Sequence, residues 1–501
     1  MGGDTVRHED AGDGAGDGAG DGAGDGAGDG AGDGAGEGAA PIAMAGEFLH
    51  PRRRVPWTAV YTLGLLALSV VLTMSPWFAA SAAGAALQVQ HGLSSGSITR
   101  LTSLVQIGFV VGTLVSAGLS LADLIPSRAL FGLSGWGAAL CTVGLLFVPP
   151  GEGAFVALAV LQFGTGFALA GVYPPALKMA ATWSRKARGL AIGLIVGALT
   201  VGKALPWALR GRLQSGRTVG FSAEGLVAEG LGMASSGAAS WVPFVAGGAA
   251  ALGATLVLLL YRDGPYSFVA HPFRWGRALT VVQHRPTRLA SLAYLGHMWE
   301  LYAMWALVPA FISAHLAIRA AGAAAGAAPS LAVTAPGAAS YLAFAVIGVG
   351  GAGALIAGWG ADRLGRSRVA SGAMLLSGSL ALVVGWMVGA PSWLLVPMLL
   401  VWGAAVVADS AQFSALVTER APEGSVGTAL TLQTSAGFLL TVVTLEAVPR
   451  IVDAVGWGWG FALLAPGPWL GALALRALEA EGGATGSGIG SAGGPAAGSR
   501  S

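Results

Sequence analysis

The stretch GWGADRLGRSR, Gly358 to Arg368, sets one carboxylate and three guanidinium groups within eleven residues. The residues on either side are almost wholly apolar. A charged side chain at the centre of a membrane-spanning helix costs about 2.5–3.5 kcal/mol on insertion scales. Four charges together therefore mark a bend outside the hydrocarbon. Gly365 supplies the backbone freedom that a tight reversal needs. The stretch reads as a short polar turn between two membrane-spanning helices.

The same alternation recurs along most of the chain. Apolar runs long enough to cross a hydrocarbon core of about 30 Å are predicted at 57–83, 97–120, 128–148, 154–180, 189–209, 241–261, 289–315, 340–360, 368–389, 393–417, 427–448 and 457–477. The chain is 54% hydrophobic and 10% charged, with a mean hydropathy of +0.68. Soluble domains carry about 25% charged residues. The fold class is therefore an all-α polytopic membrane protein with twelve transmembrane helices. A net charge of +2 leaves no electrostatic footprint for nucleic acid. The single cysteine, Cys141, excludes an intrachain disulfide and a thiolate metal centre. No asparagine occurs, which excludes N-glycosylation.

Before the first span, residues 11 to 37 repeat AGDG and close on AGEG. Glycine at this density forms no core, and the regularly spaced carboxylates repel one another. Residues 1–56 are expected to be a disordered acidic tail. Lys and Arg concentrate in alternate loops, as cytoplasmic loops do, which predicts a multi-pass protein of the inner (plasma) membrane with both termini cytoplasmic. The 210–240 loop departs from this locally, with Arg210, Arg212 and Arg217 on the outer side. A basic loop at 262–288 divides the spans into an N-terminal bundle of six, 57–261, and a C-terminal bundle of six, 289–477, followed by a disordered tail at 478–501. The two sets share landmarks. Asp123 and Asp362 each follow the second span of their set, 239 residues apart, and Gly189 and Gly427 each open the fifth, 238 apart. Weak internal repeats of this kind are a mark of transporters built from two halves.

Gly358, Asp362, Arg363, Gly365, Arg366 and Arg368 together resemble the cytoplasmic loop motif of the major facilitator superfamily. With twelve spans and the basic central loop, the resemblance covers residues 57 to 477. It implies two pseudo-symmetric six-helix bundles rocking about a central site, and a cytoplasmic gate in which Asp362, Arg363, Gly365 and Arg366 meet the start of the fifth helix near Arg185 and Arg188. Asp123 belongs to the first-half copy, GLSLADLIPSR, which lacks the arginine and glycine of the motif. The fifth span, GLIVGALTVGKALP, keeps Gly193 and Gly197 of the drug–proton antiporter pattern, but Ala198 replaces its proline. No substrate subfamily is identified.

The residues that carry chemistry are polar groups inside the spans, where ionisable side chains ordinarily mark pathways. In GHMWELYAMW, His297 and Glu300 stand three residues apart and share a helix face. They are candidates for a proton or substrate site, with His297 as charge partner of Glu300, or with Glu300 hydrogen-bonded to a neighbouring helix. Asp409 and Gln412 share a face of the tenth span in the same way. The resemblance places helices seven and ten on the central cavity, so Glu300 and Asp409 are expected to share it. Lys203 either supplies positive charge to the pathway or snorkels to the outer interface. Tyr302 is expected beside Glu300's cavity, and Gln106, Gln162 and Gln433 are candidates for its walls.

These features point to a secondary active transporter, proton-coupled, moving a small-molecule substrate by alternating access. It is expected to be a monomer in the lipid bilayer with no cofactor beyond an ion gradient. The competing class is a non-transporting membrane receptor or sensor on the same fold, which calls for a folded output domain. An enzyme is not expected, because the His297–Glu300 pair lacks a nucleophile.

Overall fold

A computed structural model describes residues 57–183, 188–215, 241–266, 273–324 and 337–487, except the side chains at 122, 123, 188, 323, 324 and 482–487. The acidic tail, Arg185 and most of the 210–240 loop lie outside the described residues, as do the side chains of Asp123 and Arg188. The described secondary structure is helical throughout.

Eleven helices are long and apolar enough to cross a membrane. They are α1 (Trp57–Ala82), α2 (Ser95–Gly118), α3 (Ser127–Phe147), α4 (Ala154–Ala181), α5 (Gly189–Gln214), α6 (Trp241–Leu260), α7 (Arg285–Gly322), α8 (Ala338–Leu364), α9 (Arg366–Met387), α10 (Ser392–Arg420) and α12 (Trp457–Glu481). The expected eleventh span falls on α11 (Val426–Val455), a 30-residue helix. α11 is not among the eleven, although at 1.5 Å per residue it is about 45 Å long. It carries Gln433, a series of threonines, and Glu446, Arg450 and Asp453. The expected start of the tail at 478 is corrected, because the last helix continues to Ser487; residues 488–501 lie outside the described residues. Leu478 is buried, and Glu481 pairs with Arg285 at 2.7 Å.

Several spans are interrupted where the sequence weakens the helical ladder. In α1 a 3-10 turn occupies Ser75–Phe78, with Pro76 near its start. In α4 the helix breaks before Tyr173, again with proline following. In α10 it breaks at Asp409, between Ser392–Ala408 and Ser410–Arg420. Broken helices of this kind carry the binding sites of many transporters.

The packing repeats itself. In the first six helices the main partners are α2 with α4, α1 with α6, α3 with α6, α3 with α4 and α1 with α5. Adding six to each label gives the main partners of the second set: α8 with α10, α7 with α12, α9 with α12, α9 with α10 and α7 with α11. The sets meet through α5 against α8 and α2 against α11, a pair related by the same shift. Small residues allow the close approach of α5 and α8. A Cβ at Gly197 would lie 2.9 Å from the Gly351 carbonyl, and one at Gly193 would lie 2.8 Å from that of Ala354. Membrane helices associate through this kind of small-residue contact.

Candidate functional site

The break in α1 aims Trp77 into the middle of the molecule. Ser75 Oγ holds the turn by donating to the carbonyls of Leu72 and Ala246, at 2.7 and 2.9 Å. Trp77 then meets Phe109 of α2, Tyr302 of α7 and Phe438 of α11, with ring centroids 5.2 to 5.7 Å apart. Trp305 joins through Tyr302, at 5.3 Å. Lys203 of α5 ends inside this cluster. Gly202 beside it lets α5 approach α1 closely, since a Cβ there would lie 2.9 Å from that of Met74. The lysine Nζ stands 3.6 Å from the Trp77 ring centroid, 4.6 Å from that of Tyr302 and 5.5 Å from that of Trp305. It donates to the Tyr302 hydroxyl. Lys203 is 1% exposed. The snorkelling alternative is therefore corrected: the side chain turns inward, where cation–π attraction and the phenol offset part of its desolvation.

Above this cage a cavity of about 470 Å³ opens between α1, α2, α5, α7 and α8. Trp207, Arg210 and Gln214 of α5 line it, with Ser313 and Ser340 opposite. It lies at the end of α5 remote from Asp362. At that other end the Asp362 carboxylate abuts the first turn of α5: a Cβ at Gly189 would lie 2.8 Å from its Cγ. A carboxylate at a helix N-terminus is stabilised by about 0.3–1 kcal/mol. Arg366 pairs with Glu419 at 2.8 Å, and Arg363 lies over the Trp359 ring. Gly365 takes φ 92° between α8 and α9.

A second polar cluster lies among α7, α9 and α10. Glu300 accepts hydrogen bonds from Trp402 Nε1 at 2.6 Å and Ser377 Oγ at 2.8 Å. His297 Nδ1 lies 2.8 Å from Asp409 Oδ1, and its Nε2 lies 3.0 Å from Ser410 Oγ. The reading of His297 as partner of Glu300 is thus corrected. The two share a helix face, but the break in α10 brings Asp409 to the imidazole, while Trp402, two turns earlier on α10, claims Glu300. Glu300, His297 and Asp409 are each at most 2% exposed. Nor does Tyr302 sit beside Glu300. Two residues along a helix turn by about 200°, so Tyr302 faces the lysine cage and Glu300 faces away from it.

The glutamines remain the least satisfied groups. Gln106 and Gln412 are fully buried, and neither side-chain end has a hydrogen-bond partner among the described residues. The Oε1 atoms of Gln162 and Gln433 are likewise unpartnered. The sequence reading missed Trp402, Ser377 and Phe438. Tryptophan deep in an apolar run was the available signal for Trp402, since its N–H needs an acceptor when buried.

No curated protein matches the chain. Among solved structures it is similar to the fucose:proton symporter FucP of E. coli, at a TM-score of 0.55 and 14% identity, covering 84% of this chain and 99% of that one. It is similar to the xylose transporter XylE of E. coli at 0.58 and 13%, covering 84% and 99%. A bacterial homologue of the human lysosomal transporter Spinster gives 0.55 and 15%, covering 85% and 95%. At these identities the likeness establishes the fold. The Major Facilitator Superfamily profile matches residues 65–443, and with the motif at Gly358–Arg368 and the twofold-repeated packing this places the chain in that superfamily of transporters.

Proposed function

We propose that the protein is a proton-coupled secondary transporter that moves a small solute across the plasma membrane by alternating access, as a monomer, with both termini cytoplasmic and no cofactor. The observation that carries this reading is a cavity at one end of α5, above a buried polar site shared by both six-helix sets, while at the other end Asp362 abuts the first turn of α5. Rocking about α5–α8 and α2–α11 would exchange the two ends. Substrate would bind on the Lys203, Tyr302 and Gln106 side of α7. Protons would be exchanged on the other face, at His297, Asp409 and Glu300. Because α7 carries both groups, its movement couples them. Two structural neighbours are sugar–proton symporters by name, which accords with the coupling and leaves the substrate open.

The reading needs no known substrate for its test. Ser313 lines the open cavity, so a maleimide should label Ser313→Cys in a Cys141→Ser background. Asp362→Asn removes the charge facing the α5 N-terminus. At about 0.3–1 kcal/mol this should shift the equilibrium two- to fivefold toward the opposite opening. Labelling at Ser313→Cys should slow, by at most that factor. A rate that no Asp362 variant alters would overturn alternating access through this gate.

A further inference from the structure

The cage around Lys203 holds hydrogen-bond donors in excess of acceptors. A lysine ammonium has three donors and no acceptor, and an indole N–H only donates. Lys203 uses Tyr302 and takes part in none of the ion pairs among the described residues, which are Arg285–Glu481, His297–Asp409, Arg366–Glu419 and Arg450–Glu446. The indole nitrogens of Trp77 and Trp305, both about 1% exposed, have no acceptor among the described residues. Trp207, one helical turn above Lys203, is in the same position. Unmet buried donors are costly; two of these belong to rings that surround Lys203, and the third lies one turn along α5. The cavity above the cage reaches Trp207, one turn along α5 from Lys203. Arg210 is its one charged lining residue, and its guanidinium stacks near the Trp207 ring. Arg210 lies seven residues beyond Lys203, two turns along the same face of α5. Arg210 thus lines the cavity, Lys203 lies two turns away on the same face of α5, and Trp207 lies between them.

We infer that this site takes a small organic anion with a single carboxylate on an apolar or aromatic body. The carboxylate would pair with Lys203 and accept from the indole N–H groups, and the body would lie against the rings of Trp77, Phe109, Tyr302 and Phe438. One lysine in an apolar cage suits one negative charge. A polyanion would leave charge buried and uncompensated. Arg210 raises the local concentration of anions at the cavity mouth. The assignment rests on the proposed transport function and names the substrate class of that site.

The test is binding by the purified full-length protein, read by thermal unfolding and by tryptophan fluorescence. Acetate, butyrate and benzoate are each compared with their amides, which keep the shape and lose the charge. At least one acid should saturate and raise the unfolding temperature, with its amide at least about tenfold weaker, a factor corresponding to 1.4 kcal/mol. Lys203→Met should abolish the response, and Lys203→Arg should restore part of it. Equal responses to acid and amide, a flat response to all three acids, or an unchanged response in Lys203→Met would each overturn the assignment. Where Lys203→Met does not fold, the acid-against-amide comparison on the wild type decides alone. The Ser313→Cys labelling uses no solute, so a failed substrate class and a failed transport reading give different results.

Discussion

His297 and Asp409 meet, Nδ1 to Oδ1 at 2.8 Å, at the residue where α10 loses its helical continuity. The break and the pair belong together. Asp409 ends the first segment of α10 with its N–H on the Val407 carbonyl, and its side chain meets an imidazole from α7. Breaking a buried pair leaves one member uncompensated, at a cost of about 3–5 kcal/mol. Asp409→Asn and His297→Gln should each lower the unfolding temperature, and the double variant should lose much less than the sum. Additive losses in that cycle would mean the two groups do not interact.

Trp402→Phe tests the second carboxylate. It keeps the ring contact with Phe461, whose centroid lies 5.1 Å away, and removes the N–H that Glu300 accepts. Hydrogen bonds to charged groups contribute about 1.5–3 kcal/mol. A comparable loss of stability is expected, and it should disappear when Glu300→Leu, which has no acceptor, is already present. If Trp402→Phe costs the same in both backgrounds, the loss is one of packing.

Gly197→Val tests the α5–α8 contact. The added Cβ would stand 2.9 Å from the Gly351 carbonyl, and backbone cannot yield as a side-chain tip can. Overpacking costs about 1–3 kcal/mol, and here it falls on the arrangement that brings Asp362 against α5. Labelling of Ser313→Cys should slow as it does with Asp362→Asn. Unchanged labelling would show that the two helices separate without cost.

The acidic tail should be dispensable. Its composition, AGDG repeated without apolar periodicity, offers nothing to bury. Deleting residues 2–50 and keeping Arg52, Arg53 and Arg54 should leave membrane levels and Ser313→Cys labelling unchanged. Loss of either would assign the tail a role.

The spans were legible because apolar length is a one-dimensional property. Each predicted run coincides with a helix to within a few residues, apart from longer ends at α5, α7, α11 and the last helix. The eleventh expected span is the instructive case. Thr441, Thr444 and Gln433 are buried in α11, where they serve packing and the central site at the expense of hydropathy. The polar residues were legible as residues and not as pairs. Spacing puts His297 and Glu300 on one face, and it carries no information about which neighbouring helix supplies each partner. The break at Asp409 has no proline or glycine at the site to announce it, and it is that break which decides the pairing. Lys203 shows the same limit: its depth along α5 allows snorkelling, and only the inward turn of α1 at Ser75–Phe78 provides the aromatic walls that hold it.

Glu300 decides between coupling and packing. It is a buried carboxylate held by Trp402 and Ser377. If its protonation is linked to the conformational equilibrium, the state with the cavity open must bind the proton with a different affinity from the state with it closed. The labelling rate of Ser313→Cys, divided at each pH by that of a free thiol because only the thiolate reacts, would then vary with pH, and Glu300→Gln, which keeps size and hydrogen bonding without titrating, should flatten this ratio. Asp409→Asn serves as the comparison, because Asp409 is the competing site. A profile flattened by Glu300→Gln alone assigns the coupled proton to Glu300. One flattened by Asp409→Asn alone moves it to the His297–Asp409 pair. A profile flattened by either substitution means that the two carboxylates titrate as one unit. If the pH dependence persists in the double variant, neither carboxylate carries the proton, and Glu300 is left as a hydrogen-bonded tie between α7, α9 and α10.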